Sequence, residues 1–319
     1  MDYDIFNGDA DGICSLLQLR LAKPRNAALI SGVKRDIQLL EKVAFQPGDT
    51  ATVLDLSLEK NRAALLVALS KGVSFFYADH HSTGEIPTSP LLNAHINTAS
   101  NTCTGLIIDH YLEGRYREWA IVAAFGDNML AAAYEFCRQL RLKPHQVESL
   151  RRLGVVMNYN GYGNTEADLY YKPADLFRLA VPHKSPFEFM AEQATVYDTL
   201  VKGYNDDMCK ALRIEPYKRD VTSTMIMLPN RRWARRVSGV LGNELANRYP
   251  KCAHAIITAL PNQVDRFQIS IRSPKDNPTG AHELARIFGG GGRKVAAGIN
   301  DINRSELDNF WDEFKARYG

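Results

Sequence analysis

Apolar residues in the first hundred positions fall into short runs separated by segments of helical spacing. Residues 4–7, 27–30, 52–54 and 73–77 read as strands. Residues 13–22, 36–43 and 58–71 read as helices, the last stopped by Gly72. Strands alternating with helices predict βαβ units and a mostly parallel sheet flanked by helices. Between residues 102 and 178 the pattern turns mainly helical, over 106–112, 120–142 and 145–158, with a loop at Asn160-Gly161-Tyr162-Gly163. Pro182 and Pro186 mark another break, and residues 187–212 read as one long connecting helix. Beyond it the strand pattern returns at 222–228, 254–260 and 266–273, with helical spacing at 237–248, 282–287 and 305–317. The expected division is an N-terminal α/β domain over 1–185, a helical linker over 186–213 and a smaller α/β domain over 214–319.

Composition supports a globular chain: 319 residues, 45% hydrophobic and 24% charged. A net charge of +3 allows a local phosphate-binding patch but does not suggest a bulk nucleic-acid coat. The five cysteines, Cys14, Cys103, Cys137, Cys209 and Cys252, form no CxxC pair, which argues against a zinc finger and against a disulfide framework. Met1-Asp2-Tyr3-Asp4 leads straight into a strand-like run, and no apolar run approaches membrane-spanning length. A soluble, cytoplasmic protein without a membrane partner is expected.

Candidate chemistry gathers where apolar runs end. The first strand leads into Asn7-Gly8-Asp9-Ala10-Asp11-Gly12, in which alternate side chains on a tight turn can point to one side. Asp55 follows the third strand, and Asp79-His80-His81 follows the run that closes at Tyr77 and Ala78. Asp127 follows the apolar residues 121–124. Ligands of open parallel sheets bind beyond the carboxyl ends of the strands. Carboxylates gathered there cannot all stay ionised without cations. Oxygen donors with imidazole suit Mn²⁺, Mg²⁺ or Fe²⁺ better than an all-sulfur metal site does. Taken singly, each piece has a plainer reading. Paired histidines occur on surfaces, an Asp-x-Asp-Gly turn is ordinary Asx chemistry, and Asp55 or Asp127 could cap a helix. Co-occurrence, in this order and on this βα pattern, favours a site.

Asp9-Ala10-Asp11-Gly12, Asp55, Asp79-His80-His81 and Asp127 together resemble the successive motifs of the DHH phosphoesterase superfamily. The run from Gly289 to Gly292, continued by Arg293-Lys294-Val295-Ala296-Ala297-Gly298, resembles the glycine-rich signature of the DHH-associated C-terminal domain. The resemblance covers essentially the whole chain. It implies a two-metal phosphodiesterase, usually manganese-dependent with magnesium as substitute, whose ligands are Asp9, Asp11, Asp55, His80 and Asp127, with Asp55 as the bridge. It gives Asp79 the role of orienting a ligand, His80, and His81 that of facing the substrate phosphate. It assigns substrate binding to Arg272 and Ser273, the backbone of Gly290, Gly291 and Gly292, and Arg293. Short single-stranded oligonucleotides or small nucleotides would be the substrates, as in a nanoRNase-like enzyme, and a homodimer is compatible. A cyclic-dinucleotide phosphodiesterase, a 3′-phosphoadenosine 5′-phosphate phosphatase and a catalytically silent nucleotide-binding scaffold stand as alternatives.

Two positions depart from the pattern. Ile5 stands where several members have a histidine, which leaves one metal position a ligand short. Arg293 stands where the glycine-rich motif usually continues with histidine. Arg231, Arg232, Arg235 and Arg236 around Trp233 read as a solvated turn, and His95, His110, His145, His183, His254 and His282 as structural or surface residues. No nucleophile-elbow signature accompanies any serine.

Overall fold

The computed structural model describes residues 1–261 and 263–319. By internal contacts the chain divides into two compact units: Met1–Gly161 with Thr165–Val201, and Tyr162–Asn164 with Lys202–Gly319.

The first unit opens with β1 (Asp2–Phe6), α1 (Ala10–Ala22), β2 (Ala28–Ile30), β3 (Thr50–Leu54), α2 (Leu58–Ser70), β4 (Ser74–Asp79) and β5 (Leu92–Ile96). These five strands form one sheet in the order β2-β1-β3-β4-β5, and every pairing is parallel. The expected parallel sheet flanked by helices is therefore present. Ile5, Val53, Phe75 and Tyr77 pack with Leu39, Leu40, Leu58 and Leu65 in one buried cluster. Ile5, fully buried in it, offers no donor to a metal. The chain moves from β1 outward to β2 and then back across to β3. Strand order therefore reverses between β1 and β3, where such sheets open a crevice at their carboxyl ends. Asp9 leaves β1 and Asp55 leaves β3 at that place.

Helices α3 (Thr104–Tyr111), α4 (Arg117–Gly126), α5 (Leu130–Gln139), α6 (Pro144–Gly161), α7 (Pro173–Ala180), α8 (Pro186–Glu192) and α9 (Ala194–Ala211) follow, and α4 packs against α1, α3, α5 and α6. The second unit adds β6 (Lys218–Arg219), β7 (Ser223–Met227), α10 (Arg232–Arg248), β8 (Ala253–Ala259), β9 (Arg266–Arg272), α11 (Ala281–Ile287), β10 (Gly291–Gly292), β11 (Ala296–Asn303) and α12 (Leu307–Tyr318). Its sheet runs β10-β11-β9-β8-β7-β6, antiparallel except between β7 and β8. None of the described helices is long and apolar enough to cross a membrane.

Several expected elements change. Residues 36–43 hold only a 3-10 turn, Leu39–Lys42. The Asn61 side chain takes over part of the backbone bonding there, accepting from Leu40 N at 3.3 Å and donating to the Ile37 carbonyl at 2.7 Å. The expected helix over 120–142 is two helices, because Asn128 adopts a left-handed φ of 61°. Met129 N reaches Ala124 O at 2.8 Å and Asn128 N reaches Phe125 O at 3.2 Å, a Schellman ending for α4. The expected helix over 187–212 breaks at Gln193, which leaves helical geometry with φ −109° and ψ 39°. β5 was not expected. It is a short, incompletely buried edge strand, so its apolar alternation is weak.

A buried ion pair ties β1, α1 and β3 together. Arg20 Nε donates to Asp4 Oδ2 at 2.7 Å, and Nη2 bonds both Asp4 Oδ1 and Thr52 Oγ1. Removing one member of such a pair strands a buried charge. Arg20→Met is expected to lower the unfolding free energy in urea by about 3 kcal/mol, while Asp4→Leu combined with Arg20→Met recovers most of the loss.

Candidate metal centre

Four segments deliver acids and imidazoles to the carboxyl edge of the parallel sheet. Asp9 is the N-cap of α1, and its Oδ1 accepts from Asp11 N at 3.0 Å and Gly12 N at 3.1 Å. Asp11 lies in the first turn of that helix, and its carboxylate accepts the backbone N–H groups of Thr104 at 2.8 Å and Gly105 at 2.7 Å, at the start of α3. A Cβ on Gly105 would lie 2.4 Å from that of Ala123 and 3.2 Å from Asp11 Oδ1, so this approach needs glycine. Asp55 leaves β3 with a left-handed φ of 58°, a conformation that Asp and Asn tolerate better than most residues. Its Oδ1 accepts the Thr104 hydroxyl at 3.2 Å. Asp127 sits at the C-terminal cap of α4, held there by the Schellman turn.

His80 follows β4 and is the common neighbour of these acids. Its Nε2 lies 3.3 Å from Asp55 Oδ1, 3.7 Å from Asp11 Oδ2 and 3.7 Å from Asp127 Oδ2. Its Nδ1 faces the Thr102 carbonyl at 2.9 Å. A carbonyl only accepts, so Nδ1 carries a proton and Nε2 is the nitrogen turned toward the acids. The neighbouring His81 differs in setting: its side chain is 29% exposed, against 2% for His80. The Asp79 carboxylate contacts His81 Nδ1 at 2.7 Å. The orienting role expected of Asp79 toward His80 thus falls on His81 instead, because side chains two apart on an extended strand end share a side. Thr102 takes the part toward His80.

The electrostatics of the cluster favour a cation. Burial pushes the Asp11 carboxyl well above its ordinary value, with Asp55, Asp127 and Asp9 adding to the rise and His80 opposing it. Burial likewise raises Asp55, with Asp9 and Asp127 adding and His81 and Lys34 opposing. Donor atoms of Asp55, His80 and His81 lie within 4.8 Å of one another, as do those of Asp11, His80 and Asp127. The nearby Cys14 and Cys103 thiols are pushed up by burial first and by the carboxylates second, so neither offers a thiolate. Carboxylate oxygen with one or two imidazole nitrogens is a donor set for Mn²⁺ or Mg²⁺, and the residues present fit such an ion.

Asp9 belongs to neither donor group. Its Oδ2 is engaged by the Lys34 ammonium, which also donates to Asp127 Oδ1 and Asn158 Oδ1, both at 3.2 Å. Sequence reasoning missed Lys34, Thr102, Thr104 and Asn158. Lys34 had a usable signal, since it follows β2 and therefore arrives at the same strand-end edge. Thr102, Thr104 and Asn158 act through a carbonyl, a hydroxyl and an amide that no pattern of residue types singles out.

On the second unit the expected substrate residues do come together. Arg272 pairs in register with Ala296 of β11, and Gly291 and Gly292 pair with Gly298 and Ala297 of the same strand. Several of their donors are already used. Arg272 Nε donates to Asn243 Oδ1 at 2.7 Å, Nη1 to its neighbour's carbonyl at 2.9 Å and Nη2 to Gly239 O at 3.3 Å. Ser273 is buried and bonds Val295 O through its backbone N–H at 3.1 Å and its hydroxyl at 3.3 Å. The Gly290 N–H goes to Ala285 O at 2.8 Å. Gly292 adopts a φ of 142°, and a Cβ there would lie 2.6 Å from Ala297 Cα. Arg293 N closes the hairpin on Ala296 O at 2.8 Å. In the Arg231–Arg236 patch, Arg236 pairs with Asp207 at 2.7 Å and Arg235 donates to Asn230 Oδ1 at 2.9 Å.

No protein-family model matches the sequence, and no curated protein matches it. Solved structures do match by fold. An exonuclease RecJ bound to manganese aligns with a TM-score of 0.60 at 14% identity, over 99% of this chain and 89% of that one. RecJ of Thermus thermophilus in complex with Mn²⁺ aligns with a TM-score of 0.59 at 15% identity, over 99% of this chain but 52% of the other, so the chain spans about half its length. PggH, a pGpG-specific phosphodiesterase from Vibrio cholerae, aligns with a TM-score of 0.54 at 16% identity, over 100% of this chain and 99% of that one. The chain therefore shares the fold of these RecJ and PggH structures, an α/β fold in keeping with its strand and helix pattern.

The raised Asp55 carboxyl has a measurable consequence. A folded state that raises an acid's pKa keeps a proton that the unfolded chain releases, so stability is lost as pH climbs above the ordinary carboxylate value of about 4. In chelator, Asp55→Asn is expected to melt at a higher temperature than the unaltered chain near neutral pH. The difference should close as pH falls toward that value, and thermal melts across the range measure it.

Proposed function

We propose that the chain is a divalent-metal-dependent phosphodiesterase that hydrolyses short oligonucleotides, linear dinucleotides foremost. The observation that carries this reading is the convergence of Asp11, Asp55, His80 and Asp127 on one sheet edge. These residues would hold the ion, and we assign Mn²⁺ with Mg²⁺ as substitute. A divalent ion there supplies Lewis acidity toward a phosphoryl oxygen and makes water nucleophilic at neutral pH. His81 would do the proton work or bind a phosphate oxygen at the rim of the buried cluster. Asp79 fixes its ring by accepting from Nδ1, so that proton exchange falls to Nε2.

For the substrate phosphate on the second unit we assign Gly291, Gly292 and Arg293, with Arg272, Ser273 and Gly290 shaping the strand and hairpin that present them. The internal bonds of those last three residues support this division. Two similarities support the substrate class. RecJ is an exonuclease, and PggH, which matches from end to end, acts on a linear dinucleotide.

A substrate panel tests the reading: linear dinucleotides, longer oligonucleotides, cyclic dinucleotides and 3′-phosphoadenosine 5′-phosphate, each with Mn²⁺. Linear dinucleotides and short oligonucleotides are expected to turn over fastest, and absence of turnover on every phosphodiester sinks the proposal. Asp55→Asn tolerates the left-handed backbone, whereas Asp55→Ala adds strain, so the former is the cleaner probe. It is expected to cost on the order of 10³-fold in kcat/KM. Asp79→Asn, which disturbs only the support of His81, is expected to cost about 10–100-fold.

A further inference from the structure

Lys34 is built into the acidic cluster rather than resting against it. Its backbone N–H donates to Gly161 O at 2.8 Å, and its carbonyl accepts from Asn7 Nδ2 at 3.2 Å. The turn before it is closely packed, since a Cβ on Gly8 would lie 1.8 Å from Gly32 O. Held from both sides, the side chain reaches Asp9 Oδ2, Asp127 Oδ1 and Asn158 Oδ1 with one ammonium. Three oxygens converging on a single cation are what a hard metal ion would otherwise use.

The two donor groups among the remaining residues share one member. Both donor groups, Asp55-His80-His81 and Asp11-His80-Asp127, run through His80. That ring has one nitrogen to give, because Nδ1 is committed to the Thr102 carbonyl. One lone pair binds one ion. Asp9 caps α1 through Oδ1 and turns Oδ2 to Lys34, so the ammonium stands on the carboxylate oxygen that a second ion there would take.

We infer that Lys34 is a permanent cation of this site, filling with its ammonium the position a second divalent ion would need, so that the chain binds one divalent ion where the motif series implied two. The inference rests on the metal-binding reading above. Replacing Lys34 would release oxygens of Asp9, Asp127 and Asn158, a ligand set that does not draw on His80.

The test is metal content, independent of turnover. Full-length protein is stripped with chelator, reloaded with excess Mn²⁺, desalted and measured by elemental analysis and electron paramagnetic resonance. The unaltered chain is expected to retain one Mn²⁺ with the signal of an isolated ion. Lys34→Met, which keeps the stem and removes the charge, is expected to retain two, with the spin coupling of ions about 3.5–4 Å apart. Lys34→Arg keeps the charge and is expected to stay at one. Two ions in the unaltered chain overturn the inference whether or not the variants fold. A folded Lys34→Met, checked by circular dichroism, that still holds one ion also overturns it. No retained ion in the unaltered chain overturns the metal-binding reading and this inference with it, whereas one ion without phosphodiester hydrolysis overturns only the proposed activity.

Discussion

Buried negative charge is the constraint on which the N-terminal unit depends. Asp9, Asp11, Asp55 and Asp127 are brought near one another and largely out of water. Isolated, such carboxylates would take up protons, and the raised values of Asp11 and Asp55 express that tendency. The surrounding architecture counters it in several ways. Backbone N–H groups at the starts of α1 and α3 bond Asp9 and Asp11, the Thr104 hydroxyl bonds Asp55, and Lys34 spans Asp9 and Asp127. What these contacts leave uncompensated is negative charge that a divalent ion would offset.

Sheet topology explains why the acids meet. β1 and β3 are neighbours in space although β2 lies between them in sequence, so Asp9 and Asp55 leave adjacent strands at the reversal of strand order. Asp127 reaches the same place from a helix end. Its position depends on Asn128 taking a left-handed backbone, which stops α4 before the carboxylate would be carried into another turn.

The metal-capable residues were legible in the sequence because each sits where an apolar run stops. A parallel sheet gathers such stops at one edge. The partnerships among them were not legible. Alternation along β4 does not say that Asp79 reaches His81, nor that the Thr102 carbonyl fixes His80. Helix periodicity across 120–142 hid a break, since Gly126-Asp127-Asn128 interrupts the chain for one turn without disturbing the apolar spacing on either side. The glycine run was recognisable, yet its N–H groups looked more available than they are, because the bond that uses Gly290 joins it to a residue outside the run's own pattern.

The segment from Thr102 to Gly105 touches three members of the site at once. Its first carbonyl holds His80, its Thr104 hydroxyl meets Asp55, and two successive N–H groups grip Asp11. Each of these donors has its own strand or helix, but all three are steered by one short piece of backbone. The site therefore has a common handle. Displacing this segment would disturb the supports of His80, Asp55 and Asp11 together, so the three donors depend on one piece of backbone and not on three.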